Sequence, residues 1–398
     1  MSVFFAKLLQ CGIIDIMLLK GSAIMIYFDN ASTTKPSQKI IDLYAKVNSE
    51  YWYNESSTHQ LGITTKTLLD RASASICRTL NLNSKKVIFT SSATEANNLA
   101  IYGICKQYIN QNKHIITSKI EHPSVLECFQ DLEKQGFNVT YLDVDENGII
   151  DLDILKQSLT KDTILVSIMW VNNIIGSIQP IKEIKEILKD YPRVKLHSDL
   201  VQGLTKLVPD FDLNDLDLMT FTAHKIHGLK GTAVLVLNDK INLNKVTKGG
   251  HQQNNMRGGT VDVAGAVCLA KTLEYEYVDI DKRFEKVSAL YDYLVDELSK
   301  LSYIIINSNK INYSPYVLNF SLRDLKGETF MHYMEQYQIY LGYGSACNAK
   351  TKALENTLMA VYNDEKRASN AVRISLSENN NLDEVKYFIQ KLHEIGNR

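Results

Sequence analysis

The sequence carries almost no net charge. Lys and Arg number 44 and Asp and Glu number 45, so the formal net charge is −1 over 398 residues. Proteins that bind nucleic acid or an anionic membrane usually concentrate positive charge. The balance therefore supports neither class of partner, and we expect no direct contact with nucleic acid or membrane.

The chain also lacks a long hydrophobic run. No segment reaches the ~18 apolar residues that a membrane-spanning helix needs. The first 24 residues come closest, but Lys7, Asp15 and Lys20 interrupt them, and Asp15 breaks the apolar stretch of a signal peptide. We expect residues 1–24 to be a dispensable extension, with Met25 as the functional start; a targeting segment is the alternative.

Paired cysteines are missing as well. The six cysteines lie at positions 11, 77, 105, 128, 268 and 347, and none forms a C-x-x-C pair. This spacing argues against a zinc ribbon and a thioredoxin-like motif, and it fits a reducing compartment such as the cytoplasm. Cys77, Cys105, Cys128 and Cys268 lie in helical patterns, where we expect inert side chains.

What the chain does have is an alternation of strand and helix patterns. No G-x-G-x-x-G follows a strand, so a dinucleotide-binding fold has no motif support. The alternation predicts an α/β fold with a mostly parallel, doubly wound sheet. The predicted strands are 86–90, 114–117, 138–142, 163–169, 195–197, 217–221 and 233–237, and the predicted helices between them include 96–108, 124–135 and 181–188.

A long helix is predicted from Glu274 to Leu301, because apolar residues from Phe284 to Leu294 follow helical spacing. We expect this helix to lead from the sheet to a smaller C-terminal α/β unit. That unit would contain a strand at 316–322 and a closing helix at 383–395.

Lys225 is the most informative single residue. It lies in Phe221-Thr222-Ala223-His224-Lys225-Ile226-His227-Gly228, at the end of an apolar strand pattern. A lysine held at a strand end among small polar residues is a candidate Schiff-base nucleophile. Together with a nearby acid and a cysteine farther along, it suggests pyridoxal phosphate (PLP) chemistry.

Other polar residues follow predicted strands. The turn before Ala93 and Thr94 opens a helix, which suits a phosphate, although a capped helix start is the preferred interpretation of this turn taken alone. Asp199 follows a strand where ligands bind in such sheets and suits a pyridinium nitrogen; a turn residue is the alternative. His122 and Asn173 also end strand patterns, and each is compatible with ordinary loop chemistry.

Two residues near the C-terminus complete the set. Cys347 lies in the open sequence Gly344-Ser345-Ala346-Cys347, which suits a reactive thiol. Arg373 lies inside an apolar strand pattern, where an arginine is costly unless paired. It suits a substrate carboxylate, with an internal salt bridge as the alternative.

In combination, these motifs resemble the cysteine desulfurases, which are class V members of the fold-type I PLP enzymes. The resemblance runs from about Met25 to near the C-terminus and rests on the order and spacing of its motifs. The motifs are Tyr27 to Thr34, Ser92 to Glu95, Glu121-His122, Val171 to Asn173, Asp199 with Gln202, His224-Lys225, Arg257 to Thr260, Gly344 to Cys347, and Arg373.

The resemblance implies a fold and a role for each motif residue. The expected large domain spans 41–282, with a seven-stranded sheet, and the small domain combines 25–40 with 283–398 and carries the cysteine loop. Lys225 would hold PLP covalently, Cys347 would attack the substrate sulfur, and His122 would stack on the ring and assist proton transfer. The implied ligands are Ala93, Thr94, Thr222 and His224 for the phosphate, Asp199 for the ring nitrogen, Gln202 and Asn173 for the phenolic oxygen, Thr260 for the phosphate of a partner subunit, and Arg373 with Asn30 for the substrate.

The resemblance also implies the reaction and its partners. L-Cysteine would give L-alanine and a persulfide on Cys347, passed by a homodimer to an acceptor for iron–sulfur cluster assembly or tRNA thiolation. No metal is implied. The alternatives are a selenocysteine lyase, a class V aminotransferase-like enzyme, a catalytically weak PLP-binding assembly partner, and a cysteine hydrolase. Cys347 argues against transamination, which needs no thiol.

Overall fold

The computed structural model describes residues 25–108, 113–308, 311–343 and 356–396. The strands are β1 (Ile26–Phe28), β2 (Lys85–Thr90), β3 (His114–Ser118), β4 (Asn138–Leu142), β5 (Thr163–Ser167), β6 (Lys195–Asp199), β7 (Leu218–Thr222), β8 (Ala233–Asn238), β9 (Ile304–Ile306), β10 (Val317–Leu322), β11 (Ile339–Leu341) and β12 (Ala371–Ser375).

The helices are α1 (Gln38–Glu50), α2 (Gln60–Thr79), α3 (Ala93–Cys105), α4 (Pro123–Lys134), α5 (Leu152–Ser158), α6 (Ile181–Leu188), α7 (Val263–Glu276), α8 (Ile280–Ser299), α9 (Gly327–Glu335), α10 (Asn356–Tyr362), α11 (Glu365–Ser369) and α12 (Leu382–Gly396). Short helical turns occur at Leu213–Asp215, Ala223–Lys225 and Gln252–Asn255. Within these ranges no helix combines the length and the apolar composition that crossing a bilayer demands.

A seven-stranded sheet forms the centre of the larger unit, in the order β2-β8-β7-β6-β5-β3-β4. Strands β4, β3, β5, β6 and β7 run parallel, whereas β8 is antiparallel to both of its neighbours. The prediction of a mostly parallel seven-stranded sheet is confirmed. Because the parallel strands share one direction, the polar residues that follow them meet at one edge of the sheet.

Helices cover both faces of this sheet. Adjacent strand residues enter different core clusters, since side chains alternate across a strand. Ile116 packs with residues of α2 and α6 on one face, and Ile115 packs with residues of α3 and α4 on the other. This double burial explains why the strands read as continuous apolar runs, as expected for a parallel sheet.

The smaller unit draws on both ends of the described chain. Its sheets are the antiparallel β12-β10-β9 and the parallel pair β1-β11. Its core includes Phe28 near the start of the chain and Phe320, Phe330 and Phe388 from its C-terminal part. The smaller C-terminal α/β unit is therefore confirmed, while the boundaries 41–282, 25–40 and 283–398 stay a prediction.

The prediction of one helix from Glu274 to Leu301 is wrong. Helix α7 ends at Glu276 and α8 begins at Ile280, with Asp279 between them in the left-handed region at φ 55°. Arg283 donates to the carbonyl and the carboxylate of Glu276 across the break, the latter at 2.8 Å. Because no Gly or Pro lies at the break, the helical spacing of the apolar residues predicted one continuous helix.

Candidate active site

A cavity of about 250 Å³ lies where the strands of the large sheet end. Its walls come from the loops after β2, β3, β5, β6 and β7, from the segment after β1, and from β12. Ten of the thirteen predicted site residues line it: Ala93, Thr94, His122, Asn173, Asp199, Gln202, Thr222, His224, Lys225 and Arg373. Residues far apart in the sequence are thus brought together at one place.

Lys225 ends the short 3-10 turn that follows β7. Its amine donates to the carbonyl oxygens of Ala31 and Ser32, the latter at 2.6 Å. The same loop is held from the other side, because the backbone nitrogen of Thr34 donates to the carbonyl of His224 at 2.8 Å. The lysine is therefore fixed against the segment that follows β1.

The start of helix α3 forms another wall. Ser92 caps the helix by accepting from the backbone nitrogen of Glu95 at 3.2 Å, and the N–H groups of Ala93 and Thr94 follow directly. The first N–H groups of a helix have no partner within the helix and favour an anion. The wall therefore suits a phosphate.

A salt bridge braces this helix start. The guanidinium of Arg257 contacts the Glu95 carboxylate at 2.8 Å, and that carboxylate also accepts from the backbone nitrogen of Ser91 at 2.7 Å. Arg257, the first residue of the motif Arg257 to Thr260, thus helps to hold the start of α3 in place. Sequence reasoning missed this contact, because nothing local pairs residues 95 and 257.

Thr222 and His224 lie beside the helix start. The Thr222 hydroxyl donates to the carbonyl of Thr232 at 3.0 Å, and His224 contacts the hydroxyl of Thr33 at 3.2 Å. Burial lowers the pKa of His224 to about 4, and the charges of Lys225 and other lysines act in the same direction. His224 is therefore neutral near pH 7 and can donate or accept one hydrogen bond.

Asp199 ends β6 and is almost fully buried. One carboxylate oxygen accepts from the amide of Asn97 at 2.9 Å, and the other accepts from the backbone nitrogen of Val201 at 2.9 Å. Both of these donors are uncharged groups. A buried carboxylate that lines a cavity and accepts hydrogen bonds from uncharged donors is suited to a cationic ligand.

His122 precedes α4 and caps it. The backbone nitrogen of Ser124 donates to His122 Nδ1 at 3.1 Å, so this ring nitrogen is an acceptor. Burial lowers the pKa of His122, and the charges of Lys225 and Arg373 add to this effect against the opposing charges of Asp199 and Glu127. The ring is therefore neutral near pH 7 and carries its proton on Nε2.

The two neighbouring asparagines differ in their surroundings. Asn172 is buried, and its side-chain oxygen accepts from the backbone nitrogens of Ile174 and Ile175 at 2.8 and 3.0 Å. Asn173 lines the cavity. Asn172 is therefore a turn residue, and Asn173 is the one available to a ligand.

Arg373 reaches the cavity from β12. Its guanidinium is buried and donates to the Asn173 carbonyl at 2.9 Å and to both Asp29 and Ser32 at 2.7 Å. Its Nε is buried and has no hydrogen-bond partner within residues 25–108, 113–308, 311–343 and 356–396. Gly342 packs directly on this group, since an added Cβ would lie 2.7 Å from Asp29 Oδ1 and 2.9 Å from Arg373 Nη2.

Three predicted site residues are not among those that line the cavity. The Asn30 amide instead contacts the carbonyl of Ser375 at 2.9 Å and the side chain of Asn380 at 3.3 Å, while Ser32, two residues later, lines the cavity. Thr260 is exposed, and its predicted contact requires a partner subunit. Cys347 lies outside the described residues, as does Cys11.

The remaining four cysteines lie on helices away from the cavity. Cys105, Cys128 and Cys268 are buried and Cys77 is half-buried. Burial raises the pKa of each thiol, to about 12 for Cys128 and Cys268. These thiols are poor nucleophiles near neutral pH, as the helical pattern predicted.

Comparison with known proteins identifies the family. Residues 26–388 match the aminotransferase class-V family. The chain is 35% identical to the cysteine desulfurase IscS of Dictyoglomus turgidum, over 93% of this chain and 94% of that protein. This chain belongs to the cysteine desulfurase family.

Further relatives agree with this assignment. A NifS/IcsS protein homolog of Lactobacillus delbrueckii subsp. bulgaricus is 39% identical over 93% of this chain and 97% of its own length. A solved structure of a NifS-like protein superposes with a TM-score of 0.87 at 30% identity, covering 94% of this chain and 99% of that one. The similarity to these desulfurases thus covers both units of the fold.

Glu121, next to His122, was not assigned a role from the sequence. It is buried, and one carboxyl oxygen accepts from the Ser118 hydroxyl at 2.7 Å and from the backbone nitrogen of Met169 at 2.9 Å. Burial raises its pKa to about 8, against these hydrogen bonds and with repulsion from Asp199. Glu121 ties the loop after β3 to the loop after β5, on which Asn173 lies.

We expect Glu121→Gln to flatten the pH dependence of stability. Because the folded-state pKa is raised, the folded protein binds more protons than the unfolded chain between the ordinary pKa of roughly 4.3 and a pH of about 8. This contribution to the free energy of unfolding is present at low pH and is lost as the pH rises through that window. Urea unfolding at about pH 6 and about pH 8.5 measures the change.

At the higher pH, the free energy of unfolding of Glu121→Gln should rise relative to that of the wild type, since glutamine does not ionise. The matched control is Glu127→Gln, which changes an exposed glutamate on α4. Parallel losses of stability in the wild type and Glu121→Gln would contradict the protonated state of Glu121.

Proposed function

We propose that this protein is a PLP-dependent cysteine desulfurase. It would convert L-cysteine to L-alanine and hold the sulfur as a persulfide on Cys347 until an acceptor takes it. The observation that carries the proposal is the meeting of Lys225, Asp199, the start of α3 and Arg373 around one cavity. Lys225 suits an aldehyde and Asp199 suits a pyridinium nitrogen. The start of α3 suits a phosphate, and Arg373 suits an amino-acid carboxylate.

The residues present fit PLP. The anion-binding start of α3 and the buried Asp199 carboxylate lie on the same cavity as Lys225, so a ligand with a phosphate and a cationic ring would find partners for both. Ala93, Thr94, Thr222 and His224 would hold the phosphate, Asp199 the ring nitrogen, and Asn173 and Gln202 the phenolic oxygen. Bound PLP supplies an electron sink for the substrate carbon.

Arg373 would bind the substrate carboxylate. The planar guanidinium suits a carboxylate, and among the residues that the structure describes its buried Nε has no hydrogen-bond partner. Ser32 places a hydroxyl 2.7 Å from the same guanidinium and also lines the cavity. We therefore infer that Ser32, and not Asn30, accompanies Arg373 in the substrate site.

His122 and Lys225 would handle protons. Neutral His122 carries a proton on Nε2, because Nδ1 accepts from the backbone of Ser124. Lys225 places an amine on the same cavity, where the carbonyls of Ala31 and Ser32 hold it. One group can release a proton to the substrate while the other takes one up.

Cys347 would accept the sulfur. Its thiolate attacks the sulfur of the bound cysteine, so a sulfur–sulfur bond forms while the carbon–sulfur bond breaks. The carbon keeps the electron pair, gains a proton and leaves as alanine. Cys347 follows Gly342 by five residues in the sequence, and the backbone of Gly342 pairs with that of Arg373. This connection supports a path from the cysteine loop to the substrate site.

The sulfur would pass to an acceptor protein for iron–sulfur cluster assembly or tRNA thiolation. The balanced net charge supports a protein acceptor over direct contact with RNA. We further propose a cytoplasmic homodimer in which Thr260 reaches the phosphate of the partner subunit. The four free thiols of the described residues support a reducing compartment.

Replacing Cys347 by alanine should abolish sulfur release. PLP-loaded Cys347→Ala should still bind L-cysteine, but sulfide and alanine formation under a thiol reductant should fall by roughly 100-fold or more, because the nucleophile is gone. Cys77→Ala, on helix α2, is the control and should keep wild-type rates. Undiminished sulfide release by Cys347→Ala would remove this residue from the reaction.

Arg373→Lys tests the carboxylate site. Lysine keeps the charge but loses the two-pronged geometry, so KM for L-cysteine should rise about tenfold with a much smaller change in kcat. The control is Arg367→Lys, which alters a half-buried arginine that stacks on Tyr362 away from the cavity. Equal KM values for the wild type and Arg373→Lys would contradict the assignment.

A further inference from the structure

Lys206 is a buried lysine to which the reaction proposed above gives no task. It lies one helical turn after Gln202 in the segment that follows β6, and only 8% of its surface is exposed. Lysine is rarely buried to this extent without a partner or a function. Its contact with Gln202, which lines the active-site cavity, calls for a specific explanation.

The amine of Lys206 donates to the side-chain oxygen of Gln202 at 2.8 Å. Because a lysine offers N–H donors to its partners, this contact identifies the facing atom of Gln202 as the oxygen. The amide nitrogen of Gln202 then lies on the other side, where it donates to the carbonyl of Ala31 at 2.9 Å. The same carbonyl accepts from Lys225, so the two lysines are linked through Gln202 and Ala31.

An amide nitrogen carries two hydrogens, and the contact with Ala31 uses one of them. Gln202 also lines the active-site cavity. Its second hydrogen is therefore the group that can face a ligand there. If the amide were reversed, its oxygen would meet the Ala31 carbonyl, and its nitrogen would meet the amine of Lys206.

Lys206 is buried among mostly polar side chains. A void of about 10 Å³, close to the size of one water molecule, lies beside the amine. Burial lowers the pKa of Lys206 to about 7, and the charges of Lys225 and Arg373 act in the same direction against that of Glu378. Both the charged and the neutral amine retain N–H groups for Gln202. The other titratable groups around this void are His227, Glu276, Arg283 and Tyr316.

We propose that Lys206 is a positioning residue that locks the Gln202 amide with its nitrogen toward the active-site cavity. The locked N–H would then be presented to the phenolic oxygen of bound PLP, so this inference rests on the proposed function. Lys206 itself touches neither substrate nor cofactor. Lys206 would act only through the Gln202 side chain, so the coupling between Lys206 and Gln202 can be measured directly.

The test is a double-mutant cycle on the PLP-loaded protein. The readout is the pH midpoint at which the visible absorption of the bound cofactor changes. A donor on the phenolic oxygen stabilises the deprotonated form, so losing it raises the midpoint. Lys206→Met and Gln202→Leu should each raise the midpoint by about one pH unit, the size expected for one lost hydrogen bond.

The double variant Lys206→Met/Gln202→Leu should show no further shift, because both substitutions remove the same contact. Additive shifts would overturn the inference, since they would mean that the lysine charge acts on the cofactor independently of Gln202. An unchanged midpoint in Lys206→Met would overturn it as well. The matched control is Lys85→Met, which removes a half-buried lysine that donates to Leu216 at 2.5 Å, and should leave the midpoint unchanged.

Two checks make the result of the cycle interpretable. Lys206→Leu, which also lacks an N–H donor, gives the same cycle from a second substitution if Lys206→Met fails to fold. The wild type reports on the proposed function separately, because a protein that takes up no PLP overturns both the function and this inference. A wild type that takes up PLP but shows additive shifts overturns the inference alone.

Discussion

The contact between Lys225 and the carbonyl oxygens of Ala31 and Ser32 connects the two units of this protein. The segment that carries these carbonyls begins at β1, which pairs with β11 of the smaller unit. Lys225 follows β7, in the large sheet. Three adjacent contacts reinforce the connection: Thr34 with His224, Arg373 with the carbonyl of Asn173, and Gln202 with Ala31. The cavity therefore lies where both units meet, and under the proposed function the residues that hold the cofactor belong to the larger unit while Arg373, which would bind the substrate, belongs to the smaller one.

The charges around the cavity are arranged so that each has a defined neighbour. Asp199 receives two hydrogen bonds and Arg373 is balanced by Asp29, so neither depends on water for its stability. Burying such groups is costly unless their hydrogen bonds are satisfied. The histidines of the cavity wall avoid that cost by remaining neutral, since burial lowers the pKa of both His122 and His224. The result is a site that can bind an anionic, ring-shaped ligand without rearrangement of its own charges.

The sequence predicted the sheet from local signals, and it predicted most of the cavity from local signals together with the resemblance to the cysteine desulfurases. Buried parallel strands read as apolar runs, and a polar residue directly after such a run lies at the ligand-binding edge, as Asp199 and Lys225 do. Contacts between distant segments left no such signal. The Arg257–Glu95 bridge and the Lys206–Gln202–Ala31 chain depend on how loops meet in three dimensions. Asn30 and Ser32 lie two residues apart in one turn, and only the packing of that turn decides which side chain enters the cavity. The break at Asp279 escaped detection for a related reason, because a left-handed aspartate has no distinctive sequence signature.

The central claim is a covalent bond between Lys225 and PLP, and the most direct measurement is to trap that bond. The purified protein is loaded with PLP, reduced with borohydride, digested, and analysed by mass spectrometry for the peptide that carries the pyridoxyl group. We expect the label on Lys225 in the wild type and no label at this position in Lys225→Ala. The control Lys230→Ala, which changes an exposed neighbour, should carry the label on Lys225 to the same extent as the wild type. A label on Lys206 or another lysine, or an undiminished label in Lys225→Ala, would contradict the central claim.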